Sequence, residues 1–187
     1  MILYIKNMVC DRCILVVRQQ LDKLDLPYNR IQLGEVELSG TPSAGKLQAL
    51  RESLHTLGFE LLDDKKSTVV EKIKNIIIRL IHPVDEIGLT KKISVLLEEK
   101  IKMDYHYLSG LFSSVEGITI EKYVILQRIE KVKELLKYDE LSLSEIADQL
   151  GYSSVQHLSQ QFKKITGLTP THFKQLKENQ RKPLDKL

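Results

Sequence analysis

Residues 143–170 constrain this chain more tightly than any other stretch, reading Leu143-Ser-Glu-Ile-Ala-Asp-Gln-Leu-Gly151-Tyr-Ser-Ser-Val-Gln-His-Leu-Ser-Gln-Gln-Phe162-Lys-Lys-Ile-Thr-Gly167-Leu-Thr-Pro170. Ile146, Ala147 and Leu150 put a narrow apolar stripe on a short helix, and the small Ala147 lets a second helix cross closely. Gly151 can take the positive φ of a tight turn. Ser153 is placed to cap the helix that follows, expected over 153–166, whose inner face is Leu158, Phe162 and Ile165. The sequence therefore specifies two short helices pinned across a glycine turn.

The outer face of the second helix is small, amide-bearing or basic. Ser154, Val155, Gln156, Ser159 and Gln160 suit contacts to base edges, and Lys163 and Lys164 can reach phosphates. His157 reads as a helix-packing or phosphate-side residue that could also touch DNA. A short helix, a glycine turn and an amphipathic second helix match the helix-turn-helix plan, whose second helix enters the major groove. Charge supports the placement. Residues 153–187 hold seven basic and two acidic side chains, whereas residues 1–64 hold seven basic and nine acidic, within a chain of net charge +3. The change of sign between the two parts points to two domains, with nucleic acid addressed by the second.

Before the linker the periodicities alternate between 2 and 3.6. A strand is expected over 2–6, a helix over 12–24 ending before Pro27, a second helix over 43–57 stopped by Gly58, and a closing strand over 59–62. Residues 28–38 alternate through Ile31, Leu33, Val36 and Leu38 around Gly34, which fits either a short hairpin or one bent strand. Residues 1–64 form one domain, the charged run around 65–68 is an exposed linker, and 69–178 form a second, all-helical domain. Seven helices are expected there, at 69–81, 90–100, 104–115, 119–137, 142–150, 153–166 and 169–177, followed by a flexible tail at 179–187. The fold class is thus α+β.

Two cysteines, Cys10 and Cys13, are spaced by Asp11 and Arg12 between the first strand and the first helix. Two thiols are too few for a disulfide framework and suit a soft-metal site in a reducing compartment. Thiolates at the positive end of a helix are expected to have lowered pKa and to grip Cu(I) or Zn(II), Cu(I) being satisfied by two ligands. None of the five histidines offers a third ligand, and Asp-Arg between the cysteines with so short a domain disfavours a thioredoxin-like role. No Ser/His/Asp set, phosphate-cradling glycine loop or apolar pair of acids is present, so an enzyme is not expected. With no long apolar run and no basic leader, no membrane association is expected and the cytoplasm is the default location.

At residues 143–170 the phrases Ser-Glu-Ile-Ala, Leu-Gly-Tyr-Ser-Ser, Phe-Lys-Lys and Thr-Gly-Leu-Thr-Pro resemble the second helix-turn-helix of the AraC family of transcriptional regulators. The resemblance extends back through Tyr107-Leu-Ser-Gly-Leu-Phe112, Glu116-Gly-Ile-Thr119 and Arg128-Ile-Glu-Lys-Val-Lys-Glu-Leu-Leu136, covering about 110 residues. It implies two helix-turn-helix units held by a long connecting helix, double-stranded DNA as partner, and RNA polymerase and a second copy as candidate partners. The first unit departs from the pattern: residues 104–117 hold no Lys or Arg, Gly110 replaces a long side chain, and Ser113-Ser114 stand where the second unit has Lys163-Lys164. Tyr105, His106 and Ser109 remain its candidate DNA contacts. Met8-Val-Cys10-Asp-Arg-Cys13 resembles the metal loop of heavy-metal-associated domains, which implies a small ferredoxin-like βαββαβ unit, reduced if 28–38 is a single strand. Together the resemblances imply a DNA-binding transcriptional regulator, metal-responsive through Cys10 and Cys13; the competing expectation is a soft-metal carrier or buffer whose helical part docks a protein.

Overall fold

Alternation in the first 63 residues builds a four-stranded antiparallel sheet. A computed structural model describes residues 1–63, 65–82 and 92–175; the expected tail at 179–187 and the start of the helix expected over 90–100 lie outside the described residues. Strands β1 (Ile2–Lys6), β2 (Tyr28–Gln32), β3 (Glu35–Leu38) and β4 (Glu60–Leu62) pair in the order β2-β3-β1-β4. The helices α1 (Asp11–Lys23) and α2 (Ala44–Thr56) alternate with them in sequence. The register sets Leu3 opposite Val36 and Ile5 opposite Leu61. Because side chains alternate across a strand, these residues share a face. They are buried there with Met8, Val17, Leu21, Leu50 and Leu54. Burying a side chain of this size is worth about 1.5–3 kcal/mol.

Residues 28–38 are a hairpin, which resolves the alternative left open by the alternation. Two residues, Leu33 and Gly34, suffice for the turn because Gly34 takes φ +75. A Cβ at Gly34 would also collide with the side-chain amide of Asn75.

Asn75 belongs to α3 (Lys65–Ile81), and this helix corrects the expected linker at 65–68. Lys65 to Thr68 form its first turn, with Lys65 and Lys66 in solvent. A solvated first turn carries no apolar periodicity, so charge alone read as linker. The first half of α3 packs on the sheet domain: Lys72 Nζ lies 4.6 Å over the Tyr4 ring and donates to its hydroxyl at 3.2 Å. The chain divides into two compact units at this helix, one Met1–Asn75 and one from Ile76 onward.

The second unit is helical. After the end of α3 come α4 (Ile93–Ile101), α5 (Tyr105–Glu116), α6 (Ile120–Tyr138), α7 (Leu143–Gln149), α8 (Val155–Thr166) and α9 (Pro170–Gln175). An offset of 50 residues superposes its two halves along the chain. Helices α5 and α8 have equal length, start on side-chain caps at Asp104 and Ser154, and end on left-handed Gly117 and Gly167. Threonines follow at 119 and 169, their hydroxyls accepting from the amides of Lys122 and His172. Aromatic pairs recur at the same offset, Phe112–Tyr123 at 5.5 Å and Phe162–Phe173 at 5.4 Å. Such pairs add about 0.5–1.5 kcal/mol beyond area burial. Between the halves, α6 buries Ile129, Val132 and Leu136 against Ile146, Ala147, Leu150 and Leu158.

Candidate nucleic-acid interface and the cysteine loop

The first helix of the second repeat is fixed by a capping box. Ser142 Oγ accepts the amide of Glu145 at 3.3 Å, and Glu145 Oε2 accepts that of Ser142 at 2.7 Å. Those hydrogen bonds hold the Glu145 carboxyl below its ordinary pKa. The turn then passes through Gly151, φ +69, to a buried Tyr152. The Tyr152 hydroxyl donates to Gln161 at 2.8 Å, and Arg128 of α6 lies 5.8 Å over its ring. Burial pushes the Tyr152 phenol up to about 12, against the opposing pull of Arg128, and lowers the Arg128 guanidinium. The turn is thereby clamped to the connecting helix.

Capping of α8 differs from the expectation. Ser154, not Ser153, is the cap: its Oγ accepts the His157 amide at 3.1 Å from an extended backbone. Ser153 instead reaches His157 Nδ1 at 3.1 Å, and the His157 ring meets Tyr152 edge-on at 5.4 Å. Adjacent serines cannot be ranked as caps from sequence, because the choice depends on which backbone is extended. Leu158 and Phe162 face inward, Ile165 is half-buried, and Gln156, Gln160, Lys163 and Lys164 are exposed. Those four side chains carry no hydrogen bond or ion pair among the described residues. Val155 and Ser159 are half-buried at the edges of this face.

The equivalent face of α5, displaced by 50, presents His106, Tyr107, Ser109, Gly110, Ser113 and Ser114. His106 is exposed and Ser109 half-buried. Tyr105 is half-buried, its hydroxyl donating to Glu121 at 2.5 Å and its amide to Glu98 at 2.8 Å. Burial and Glu121 raise the Tyr105 phenol and Tyr105 lowers the Glu121 carboxyl, so that hydroxyl is already committed within the unit. Sequence reasoning passed over Tyr107, which is 54% exposed and stands where α8 has His157. The 50-residue offset itself was the signal that could have found it.

In the first unit, Cys10 is the N-cap of α1 and is exposed, with no side-chain cap hydrogen bond. Cys13 sits one turn on, and the two sulfurs lie 3.4 Å apart. Met8 is fully buried. Burial raises the Cys13 thiol, with the neighbouring Cys10 adding to the rise and backbone amides opposing it. This corrects the expected lowering for Cys13: desolvation of a half-buried sulfur outweighs the helix end. Among the described residues no group of three or more His, Cys, Asp or Glu could hold a metal, so the pair stands alone. Two sulfurs 3.4 Å apart are closer than a linear two-coordinate ion would hold them, and two ligands fall short of a tetrahedral site.

Residues 97–176 match the family described as "Helix-turn-helix domain". That segment, less than half of the chain, is thus similar to helix-turn-helix domains. Among curated proteins the chain is 34% identical over 114 residues to "Probable transcriptional regulator LumQ" of Photobacterium leiognathi, covering 60% of this chain and 44% of that protein. It is 31% identical over 146 residues to "Uncharacterized transcriptional regulatory protein YesN" of Bacillus subtilis, covering 76% and 35%. Among solved structures it is similar to the C-terminal domain of AraT, a response regulator from Geobacillus stearothermophilus, at 28% identity, with a TM-score of 0.50 over 59% of this chain and 87% of that one. The chain spans less than half the length of these curated relatives. No described helix is long and apolar enough to cross a membrane.

Proposed function

We propose that this chain is a sequence-specific DNA-binding transcriptional regulator of the cytoplasm, with α8 supplying most of its affinity for double-stranded DNA. The exposed and unpartnered face of Gln156, Gln160, Lys163 and Lys164 carries this reading. Amides suit the donor and acceptor pattern of adenine edges, and the lysines neutralise phosphates. Ser154 acts first as the cap that aims the helix, and His157 is tied to its own turn. On α5 the exposed surface offers His106, Tyr107 and small residues without a cation, so its contact is weak or reads shape. A second copy and RNA polymerase are the protein partners consistent with a regulator.

The test is a salt series on a labelled duplex selected from a random library by the wild-type protein. Each phosphate contact contributes about 0.9 to the slope of log K against log salt. Lys163→Ala with Lys164→Ala is expected to lower affinity at least tenfold and the slope by about 2. An unchanged slope would sink the assignment to α8.

Cys10 and Cys13 support a second element of the proposal, a soft-metal response. The strand order β2-β3-β1-β4 with all pairs antiparallel supports a ferredoxin-like, heavy-metal-associated reading of this unit. Two thiols supply the ligand count of a two-coordinate soft ion such as Cu(I), which held linearly would spread the sulfurs from 3.4 Å to about twice a metal–sulfur bond; Zn(II) would require further ligands from elsewhere. A soft-metal carrier with a helical docking domain is the competing function. It predicts Cu(I) retention without specific retention of any duplex at physiological salt, which separates the two.

A further inference from the structure

A groove in the helical unit combines an apolar wall with a guanidinium that no described carboxylate pairs. It encloses about 670 Å3, within the size range of sites that take small organic molecules. All its lining residues belong to the unit that begins at Ile76. One wall is a face of α6, where Glu121, Val124, Ile125 and Arg128 recur at helical spacing. Buried Ile120 and half-buried Ile93 of α4 extend its apolar part. Glu121 and Arg128 stand two turns apart, about 10 Å along the helix axis. The apolar part therefore separates the two charges.

The two ends differ in what they have left to bond. At one, Glu121 accepts the Tyr105 hydroxyl at 2.5 Å, and that hydrogen bond holds its carboxyl down. At the other, Arg128 Nε is buried and has no hydrogen-bond partner among the described residues. Burial lowers the guanidinium, and only the Tyr152 ring beneath it, 5.8 Å away, opposes the fall. The turn leaves room beside it, since a Cβ on Gly151 would stop 3.9 Å from an Arg128 Nη. Gln161 lines the same end: its Oε1 is taken by the Tyr152 hydroxyl at 2.8 Å, which leaves its amide nitrogen to donate. A buried charged donor is expensive to leave unmade, and the planar fork of arginine matches a carboxylate.

We infer that this groove binds a small organic monocarboxylate, its anion on Arg128 and its apolar body against Ile93, Ile120, Val124 and Ile125. Lys92, exposed in the lining, adds a second positive charge. Two cations against the one carboxylate of Glu121 leave a balance of +1. That balance suits a single negative charge and falls short of the two on a phosphate ester. The apolar wall supplies the rest of the affinity, so the body of the ligand matters as much as its charge. None of the residues assigned to DNA on the exposed face of α8 lines the groove, and the inference stands apart from that reading.

The experiment uses the full chain and titrates it with acetate, benzoate, octanoate and 4-phenylbutyrate, with 4-phenylbutyramide as the uncharged match and inorganic phosphate as the apolar-free anion. Binding is read from shifts in the amide NMR spectrum and from the melting temperature. Affinity is expected to rise at least tenfold from acetate to 4-phenylbutyrate, which should saturate below about 1 mM. The amide should bind at least tenfold more weakly than the acid, and phosphate should not saturate. Arg128→Lys keeps the charge and loses the fork, and it should weaken 4-phenylbutyrate at least fivefold. Because Arg128 also holds the turn at Tyr152, a second variant leaves it in place. Ser94→Trp puts bulk into the groove from α4, where Ser94 is half-buried, and should abolish binding with the melting temperature of the free protein unchanged. Failure of all four carboxylates to saturate by about 1 mM overturns the inference. So does equal binding of acid and amide, phosphate binding as tightly as 4-phenylbutyrate, or saturable binding that survives Ser94→Trp.

Discussion

Single residues decide more here than their types suggest. Gly34 combines a positive φ with a close approach to Asn75, so Gly34→Ala meets both a strained backbone and a collision. We expect a loss of about 2 kcal/mol or more, read as a fall in the denaturation midpoint of the full chain. A loss under 0.5 kcal/mol would contradict the packing of α3 on the hairpin. Glu145 shows the same dependence on neighbours through its pKa. Its carboxyl is held down by Ser142, so the folded state binds that proton less readily than the unfolded chain does. The stabilisation is present above the unfolded pKa and is lost as pH falls through the lower folded value. Replacing Glu145 by Gln should therefore lower the melting temperature at pH 7 and leave it unchanged near pH 2. An equal difference at both pH values would mean the charge is not what the capping box uses.

At the level of elements, the 50-residue repeat separates scaffold from surface. Caps, left-handed glycines and aromatic pairs recur in both halves, because each is needed to pack a short helix on α6. Apart from Ser109 and Ser159, the outward positions do not recur: Ser113, Ser114 and Gly110 stand for Lys163, Lys164 and Gln160. The asymmetry is therefore in what faces outward and not in how the helices are held. Ser113→Lys with Ser114→Lys should strengthen duplex binding several-fold and steepen the salt slope by about 2, since the positions match those of the second repeat. No change in slope would place α5 away from the DNA backbone. Tyr107 belongs to this comparison too. It was legible only after the offset was applied, because an aromatic residue on an amphipathic helix reads as core by default.

Over the whole molecule, much of the architecture was legible from local pattern. The strands and most helix positions followed from periods of 2 and 3.6, because burial of one face writes itself into the sequence. The cysteine spacing and the polar face of α8 were equally local. What the sequence could not supply was long-range. Lys65 to Thr68 look like linker because a solvated helical turn and a linker have the same composition, and only the packing of α3 on Tyr4 and Asn75's approach to Gly34 distinguish them. The cap of α8 passed from Ser153 to Ser154 because φ and ψ, not residue type, select between two serines. Cys13 has a raised thiol because burial, invisible in the spacing of two cysteines, outweighs the helix end. By itself the sequence determined which segments would be strand or helix and which faces they would bury, since those depend on neighbours within a turn or two. Only the tertiary structure decided that Glu71 holds Asn7 across 64 residues and that His82 meets Gln127 across 45. Partners that far apart leave no period in the chain, and only the folded packing brings them within hydrogen-bond reach.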